Sequence, residues 1–323
     1  MTSHFDRRAF LKGAMLGITA LGAATLPAVL AQTGRRNTDL AMTSHLGTLW
    51  AGSVRTKSFT ERLNAAQKGG FRSMSLFLLD YKKFTAQGLT GAEMCKRAAD
   101  AGVPIVVLDP LTRWLPKSEL PADLPADVRE FHSFDEDAYF RAAEALGVRA
   151  VNMFEPWGKV YAIEEAAESF ARVCDRARDL GMTVHLEFMP FTGIKSLRTA
   201  WDIVRTADRP NGNIMFDYWH FMRSDPDLKL LSTIPGSRIT MVQVTDAHAK
   251  LQAATLLDDC MHHRLLPGEG AFPMLEITRV LRSIGAGADM GLEIFSDTFD
   301  KLPAREAGQR GGDSMRRLLT NVV

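Results

Sequence analysis

A repeated alternation of short apolar strands and amphipathic helices constrains this chain more than any other feature. From about residue 39 the pattern of strand, loop and helix recurs eight times, at intervals of roughly 30 residues. The predicted strands begin near Leu40, Ser73, Pro104, Arg149, Thr183, Asn213, Ile239 and Asp289. Apolar residues three and four positions apart predict helices over 59–68, 91–101, 136–146, 163–180, 196–206 and 274–284.

Eight strand–helix units predict an α/β protein folded as one (β/α)8 barrel, which would occupy residues 32–323. The alternative is an open, doubly wound sheet. It is disfavoured because no Gly-x-Gly-x-x-Gly turn follows the first predicted strand. A chain that is 46% hydrophobic and 24% charged can bury the large core that such a barrel requires.

Two connections are much longer than the others, at 111–132 and 245–272. Both are predicted to be loops. In a barrel they would emerge on the face where the strands end, and long loops in compact domains usually cover a binding site.

The first 31 residues resemble a twin-arginine export signal. Arg7-Arg8 is followed by Phe10-Leu11-Lys12 and then by a mildly apolar run that ends at Ala31. This predicts a periplasmic protein that is exported folded, and an uncleaved membrane anchor is the alternative.

Charge and cysteine content exclude several partners. Formal net charge is +1, and removing residues 1–31 takes away three cations and one anion, leaving 36 against 37. Such a balance favours neither nucleic acid nor stable membrane association after signal removal. The three cysteines are too few and too scattered for a disulfide framework or a zinc site. With nucleic acid and membrane disfavoured as partners, a small-molecule, carbohydrate-like substrate is expected.

Polar residues close four neighbouring predicted strands. They are Glu187, Asp217, Gln243 and Glu293, at the ends of strands five to eight. The alternative for Asp217 is that it only caps the helix that follows. Three carboxylates brought together at one barrel mouth would repel one another unless a cation lay among them. Because the four side chains offer only oxygen, the expected cofactor is a divalent ion, Mn²⁺ or Mg²⁺.

These residues carry a family resemblance over roughly 40–320. Four motifs resemble the xylose-isomerase-like barrel superfamily: His-Leu-Glu at 185–187, Asp-x-x-His at 217–220, Gln-Val-x-Asp at 243–246 with Arg-x-x-Pro-Gly-Glu-Gly at 264–270, and Leu-Glu-Ile at 292–294. The resemblance implies that Glu187, Asp217 and Glu293 bind metal and that the two glutamates exchange protons with substrate. Sugar epimerases of the superfamily usually have His where Gln243 stands, whereas Gln resembles the 3-dehydroshikimate dehydratases. The histidine-rich zinc cluster of the endonuclease IV branch is absent from the sequence.

The chemistry expected of such a site is proton abstraction next to a carbonyl. A divalent ion acidifies the neighbouring C–H, and a carboxylate removes the proton to give an ene-diolate. Glu187 and Glu293 are the candidate base and acid. His220 is expected to bind or protonate a substrate hydroxyl, or else to pack among aromatic residues. Arg264 is expected either to bind a substrate oxygen or to pair with Glu269.

Three further residues are candidates for substrate binding, whereas His185 is expected to lie in the barrel core. Glu155 and Trp157 follow the fourth strand and could form a pocket wall, and His45 closes the first strand. His185 precedes Glu187 by two residues, so it should point the same way but lie deeper, in the barrel core.

Three functions remain open on the sequence alone. The first is a metal-dependent isomerase or epimerase that acts on a sugar or polyol-like hydroxy-carbonyl compound. The second is a carbon–oxygen lyase that acts on a hydroxylated ring acid or a 3-keto-glycoside. The third is a sugar-binding barrel without catalytic activity, which is disfavoured because the whole ligand set is present.

Overall fold

A computed structural model of the chain describes residues 46–322. The predicted export signal and His45 lie outside these residues. Within them, no helix combines the length and the apolar character that crossing a membrane requires.

The eight predicted strands are present and form one closed parallel barrel in the order β1 to β8. Closure occurs where β1 pairs with β8, at Leu49 and Leu292. The strands are β1 Leu46–Leu49, β2 Phe71–Phe77, β3 Ile105–Leu111, β4 Ala150–Met153, β5 Thr183–Glu187, β6 Gly212–Asp217, β7 Met241–Val244 and β8 Asp289–Leu292. The (β/α)8 fold expected from the sequence is therefore confirmed, and the open sheet is excluded.

Helices follow the strands around the outside of the barrel. They are α1 Phe59–Gly69, α2 Leu78–Ala86, α3 Gly91–Asp100, α4 Ala126–Phe131, α5 Glu136–Ala145, α6 Ile163–Asp179, α7 Leu197–Ala207, α8 Tyr218–Arg223, α9 Leu228–Leu231, α10 Leu256–His262, α11 Met274–Ser283, α12 Asp297–Asp300 and α13 Ala304–Thr320. The six helices predicted from periodicity agree with the structure to within one residue at each end.

The two long connections differ from expectation because each contains a short helix. Helix α4 lies in the 111–132 connection and α10 lies in the 245–272 connection. The Thr255 hydroxyl caps α10 by accepting a hydrogen bond from the Asp258 N–H at 3.1 Å. Helices this short depend on tertiary packing, so hydrophobic periodicity in the sequence does not reveal them.

The barrel is closed on the outside by tight packing of its first and last helices, α1 and α13. A Cβ atom on Gly308 would lie 2.0 Å from the Ala65 carbonyl oxygen, and one on Gly312 would lie 2.1 Å from that of Gly69. Only glycine permits this approach. Since all eight strands run parallel in the closed barrel, their carboxyl ends lie at one mouth.

Candidate active site

The four polar strand-end residues meet at the carboxyl-terminal mouth of the barrel, as the fold requires. Asp217 and Gln243 are paired residues of β6 and β7, and Glu187 is the last residue of β5. Glu293 follows β8, and its N–H donates to the Val244 carbonyl at 3.2 Å. All four side chains are buried, with at most 3% of their surface exposed.

Arg264 supplies the positive charge that this acidic mouth needs. Its Nη1 lies 2.7 Å from Asp217 Oδ2 and 3.2 Å from Glu293 Oε2. The guanidinium Nε donates a hydrogen bond to the Cys260 carbonyl at 3.1 Å. The guanidinium carbon lies 5.0 Å from the centre of the Phe295 ring. Of the two roles expected for Arg264, pairing with Glu269 is not the one observed: Glu269 contacts Arg310 instead.

The pKa values of the two carboxyl groups beside Arg264 shift in opposite directions. Burial alone would raise the pKa of Asp217, but the charges of Arg264 and His220 hold it below its ordinary value. Burial raises the pKa of Glu293 well above its ordinary value, and Arg264 only partly offsets this effect. The two buried carboxyl groups beside one arginine thus differ in pKa, with the ionised form favoured at Asp217 and the protonated form favoured at Glu293.

His220 lies beside two of the carboxylates, and its ring also packs against Phe191 and Trp219, with ring centres 5.9 and 5.5 Å away. Its Nε2 lies 3.4 Å from Glu187 Oε1 and 3.9 Å from Asp217 Oδ2. One donor atom each from Glu187, Asp217 and His220 lies within 4.8 Å of the others, a spacing that a metal ion could bridge. Asp217 also caps α8, since its Oδ1 accepts from the His220 N–H at 3.0 Å. The capping interpretation and the site interpretation of Asp217 are therefore compatible.

The side-chain amide of Gln243 contains a buried oxygen that, among the residues that the structure describes, has no hydrogen-bond partner. A buried amide oxygen left unpaired costs free energy, on the order of 1–3 kcal/mol. Carboxylate oxygens, an amide oxygen and an imidazole nitrogen are all ligands of divalent cations, so the donor set fits a metal.

A fourth acidic residue, Asp109, belongs to the site and was not predicted. Asn152 donates from its single Nδ2 to Asp109 Oδ1 at 2.9 Å and to Glu187 Oε2 at 2.6 Å. Burial, with the nearby charge of Glu187, raises the pKa of Asp109 to about 8. A signal was present in the sequence, since Asp109 directly follows the apolar run at 105–108, although β3 continues to Leu111.

The remaining predicted residues have separate places. The Glu155 carboxylate accepts from the backbone N–H groups of Trp157, Gly158 and Gly193 at 2.6–2.9 Å. It joins two loops and does not line the cavity, whereas Trp157 does line it. His185 is fully buried, with Nε2 2.9 Å from Thr240 Oγ1, in agreement with the expected core position.

A cavity of about 840 Å³ opens above these groups. Its floor includes Glu187, His220, Arg264, Glu293 and Asp109. Both long connections contribute to its walls, the first through α4 and the second through α10. The volume lies in the range of small-molecule sites, and the convergence of acids, a histidine and an arginine suits proton transfer on a polar ligand.

Relatives with known names are enzymes. The chain is 26% identical over 262 residues to the 3-dehydroshikimate dehydratase of Pseudomonas aeruginosa, a match that covers 80% of this chain and 39% of that one. It is 27% identical over 145 residues to the inosose isomerase of Bacillus velezensis, covering 44% and 50% of the two chains. This chain thus spans about two fifths of the dehydratase and half of the isomerase.

Solved structures and a family model agree on the fold. The IolI protein with a bound zinc atom superposes with a TM-score of 0.71 at 18% identity, covering 85% of this chain and 98% of the other. A D-psicose 3-epimerase superposes with a TM-score of 0.59 at 16% identity, covering 86% and 97%. The family model described as xylose isomerase-like TIM barrel matches residues 63–318. The chain therefore belongs to the xylose isomerase-like TIM barrel family.

Proposed function

We propose that this protein is a divalent-metal-dependent enzyme that removes a proton next to the carbonyl of a hydroxylated, carbohydrate-like substrate. The observation that carries the proposal is the buried ring of Glu187, Asp217, Gln243 and Glu293 at one barrel mouth, in which the Gln243 oxygen lacks a partner among the described residues. A pure binding site for a neutral sugar would not need three buried carboxylates.

The metal ligands proposed are those four strand-end residues, with His220 as the alternative nitrogen ligand beside Glu187 and Asp217. When bound, the ion would polarise the substrate carbonyl and so make the neighbouring C–H more acidic. The all-oxygen set supports Mn²⁺ or Mg²⁺. Zn²⁺ is the alternative ion, because the IolI structure contains zinc and because His220 offers a nitrogen ligand.

Glu187, Glu293 and Arg264 have distinct roles in the proposed reaction. Asn152 fixes one oxygen of Glu187 and leaves Oε1, on the His220 side, available to accept a proton. Glu293 is the second proton-carrying group. Arg264 lies between Asp217 and Glu293, where its charge can also stabilise an oxyanion on the substrate.

Two reactions share this first step. Return of the proton to another face or carbon gives an isomer or epimer, as the name inosose isomerase indicates for one relative. Loss of a neighbouring hydroxyl gives elimination, as the name 3-dehydroshikimate dehydratase indicates for another. Elimination is supported by the dehydratase match, which covers 80% of this chain against 44% for the isomerase. It is also supported by Gln243, because this residue resembles the dehydratases, whereas epimerases of the superfamily usually have His there. His220 would then donate the proton to the departing oxygen.

The proposal is tested by hydrogen exchange in D₂O. The metal-loaded protein should be incubated with 3-dehydroshikimate and, separately, with inosose, and the carbon next to the carbonyl followed by NMR. Deuterium incorporation or turnover is expected with at least one compound. Glu293→Gln keeps the size and an oxygen ligand but cannot accept a proton, so it should be slower by about 10²-fold or more.

Glu269→Gln is the matched control, since Glu269 is an exposed glutamate that contacts only a surface arginine. It should react at the wild-type rate. Full activity in Glu293→Gln would contradict the proposed role, and a new C=C absorbance would identify elimination rather than isomerisation.

A further inference from the structure

The barrel mouth is divided into two chemically different halves. Three of the four acids described above lie at or directly after the ends of β5, β6 and β8, and the fourth, Asp109, lies on β3. The opposite side of the cavity is formed by a set of residues that we call the aromatic wall: Phe77 at the end of β2, Phe131 and His132 at the end of α4, Trp157 after β4, and Phe295 after β8. All five are only partly buried, and all line the cavity.

The rings of the aromatic wall touch in an unbroken series. Phe295 stacks on Phe77 with ring centres 6.4 Å apart and planes 21° apart. Phe77 meets Phe131 edge to face at 5.6 Å, and Phe131 meets His132 at 5.0 Å. His132 in turn meets Trp157 at 4.8 Å. The series forms a continuous apolar surface that faces the cavity instead of packing into the core.

The aromatic wall begins directly beside the acidic half. The Arg264 guanidinium that bridges Asp217 and Glu293 lies 5.0 Å from the Phe295 ring centre. A ligand whose hydroxylated ring reaches Glu187 and Glu293 therefore has aromatic surface next to its outer end. The cavity of about 840 Å³ has room for a second ring beyond the first.

Several polar groups around the outer cavity are already paired with neighbouring residues. Arg55 is paired with Asp300 at 2.7 Å, and His262 is paired with Asp297 at 2.8 Å. His132 Nδ1 faces Thr112 Oγ1 at 3.2 Å, and burial lowers the pKa of His132 to about 4, so its ring is neutral. Lys83 and Asp127 also line the cavity, but a group that lies directly against the aromatic wall meets rings. A second sugar would bury hydroxyls there, whereas an aryl group would bury apolar surface.

We propose that the substrate carries an aryl group on its hydroxylated ring, and that the aromatic wall binds this group while the acidic strand ends bind the hydroxylated ring. The inference rests on the proposed function for the position of the hydroxylated ring. It adds a class of substrate, an aryl-substituted carbohydrate, and a separate binding subsite for the aryl group.

Binding of three glycosides to the purified protein, measured by calorimetry, tests the subsite without any chemical step. The ligands are phenyl β-D-glucopyranoside, methyl β-D-glucopyranoside and cellobiose, which differ only in the group that would lie against the aromatic wall. Phenyl glucoside should bind about tenfold more tightly than either of the others, since contact with two or more rings is expected to contribute on that scale.

Alanine variants test whether the aromatic wall is the source of the preference for the phenyl group. Phe77→Ala and Trp157→Ala should each reduce the preference for the phenyl group, measured as the ratio of phenyl to methyl glucoside affinity, by about fivefold or more. Tyr161→Ala is the matched control, because Tyr161 is a partly buried aromatic residue on the same connection as Trp157 but does not line the cavity. It should retain the full preference.

The proposal is overturned if phenyl glucoside fails to bind, binds no more tightly than methyl glucoside, or is matched by cellobiose. It is also overturned if neither wall variant reduces the preference. These outcomes are separate from those of the D₂O experiment: a phenyl preference without proton exchange contradicts only the proposed reaction, and exchange without a phenyl preference contradicts only the subsite.

Discussion

His185 and Glu187 are two residues apart on β5, and the barrel gives them different environments. His185 lies deeper, fully buried, with Nε2 2.9 Å from Thr240 Oγ1. Burial lowers its pKa to about 4, so the imidazole is neutral in the folded protein at neutral pH. Glu187 lies at the mouth, where Asn152 and His220 surround its carboxylate. One strand thus places a structural histidine below a carboxylate of the proposed site.

The neutral state of His185 makes stability depend on pH. Its folded-state pKa of about 4 lies below the unfolded value of about 6.5, so between these values the unfolded chain binds the extra proton. The stabilisation is complete above pH 6.5 and is lost as pH falls towards 4. We expect the wild type to lose up to about 3 kcal/mol more than His185→Gln between pH 7 and pH 4. Urea unfolding at a series of pH values measures this, and parallel curves for the two proteins would contradict it.

At the residue scale, the sequence predicted the strand-end acids because each closes an apolar run. It did not predict how they are paired. The contact of Arg264 with Asp217 joins residues 47 positions apart, and no local pattern encodes it. Asp109 was missed although it follows an apolar run inside β3, because its importance comes from Asn152 on the neighbouring β4, which links it to Glu187 on β5.

The element that positions Arg264 is the connection between β7 and α11. Asp246, just after β7, accepts four backbone hydrogen bonds, from Ala247 and Phe272 at Oδ1 and from Gly268 and Gly270 at Oδ2, at 2.8–3.1 Å. Its backbone also pairs with Leu265, the residue after Arg264, in both directions at 2.9 Å. One carboxylate therefore folds the segment that carries the arginine.

Asp246→Ala removes all four of these acceptors. Buried N–H groups left without partners should lower the free energy of unfolding by about 1–3 kcal/mol or more, and the displaced Arg264 should lower the rate of proton exchange. Glu269→Ala, on the same segment but exposed, should change stability by less than about 1 kcal/mol. Urea unfolding and D₂O exchange measure the two effects. Equal behaviour of the two variants would show that Asp246 does not organise the segment.

At the element scale, the sequence predicted the barrel and its main helices well. Strand and helix periodicities are local, and seven of the eight strand starts were predicted to within two residues; that of β1, predicted near Leu40, falls before the described residues. The short helices α4 and α10 were not predicted, because six or seven residues form a helix only where the barrel packs against them. Those two helices line the cavity, so the fold was more predictable than the shape of its site.

For the whole molecule, the parallel closed barrel explains why residues spread over more than 180 positions of the chain form one centre. Strands β1 to β8 end at the same mouth, which places the oxygens of β5 to β8 opposite the rings that follow β2 and β4. The fold alone does not specify a reaction. The central claim is that the oxygens of β5 to β8 form a cation site.

Metal analysis of protein purified without chelator and loaded with Mn²⁺, Mg²⁺ or Zn²⁺ tests this claim most directly. We expect about one tightly bound ion per chain, which Asp217→Ala should lose. Glu155→Gln, a change at a buried carboxylate outside the set, should retain it. Wild-type protein that binds none of the three ions, or Asp217→Ala protein that keeps its full metal content, would contradict the account.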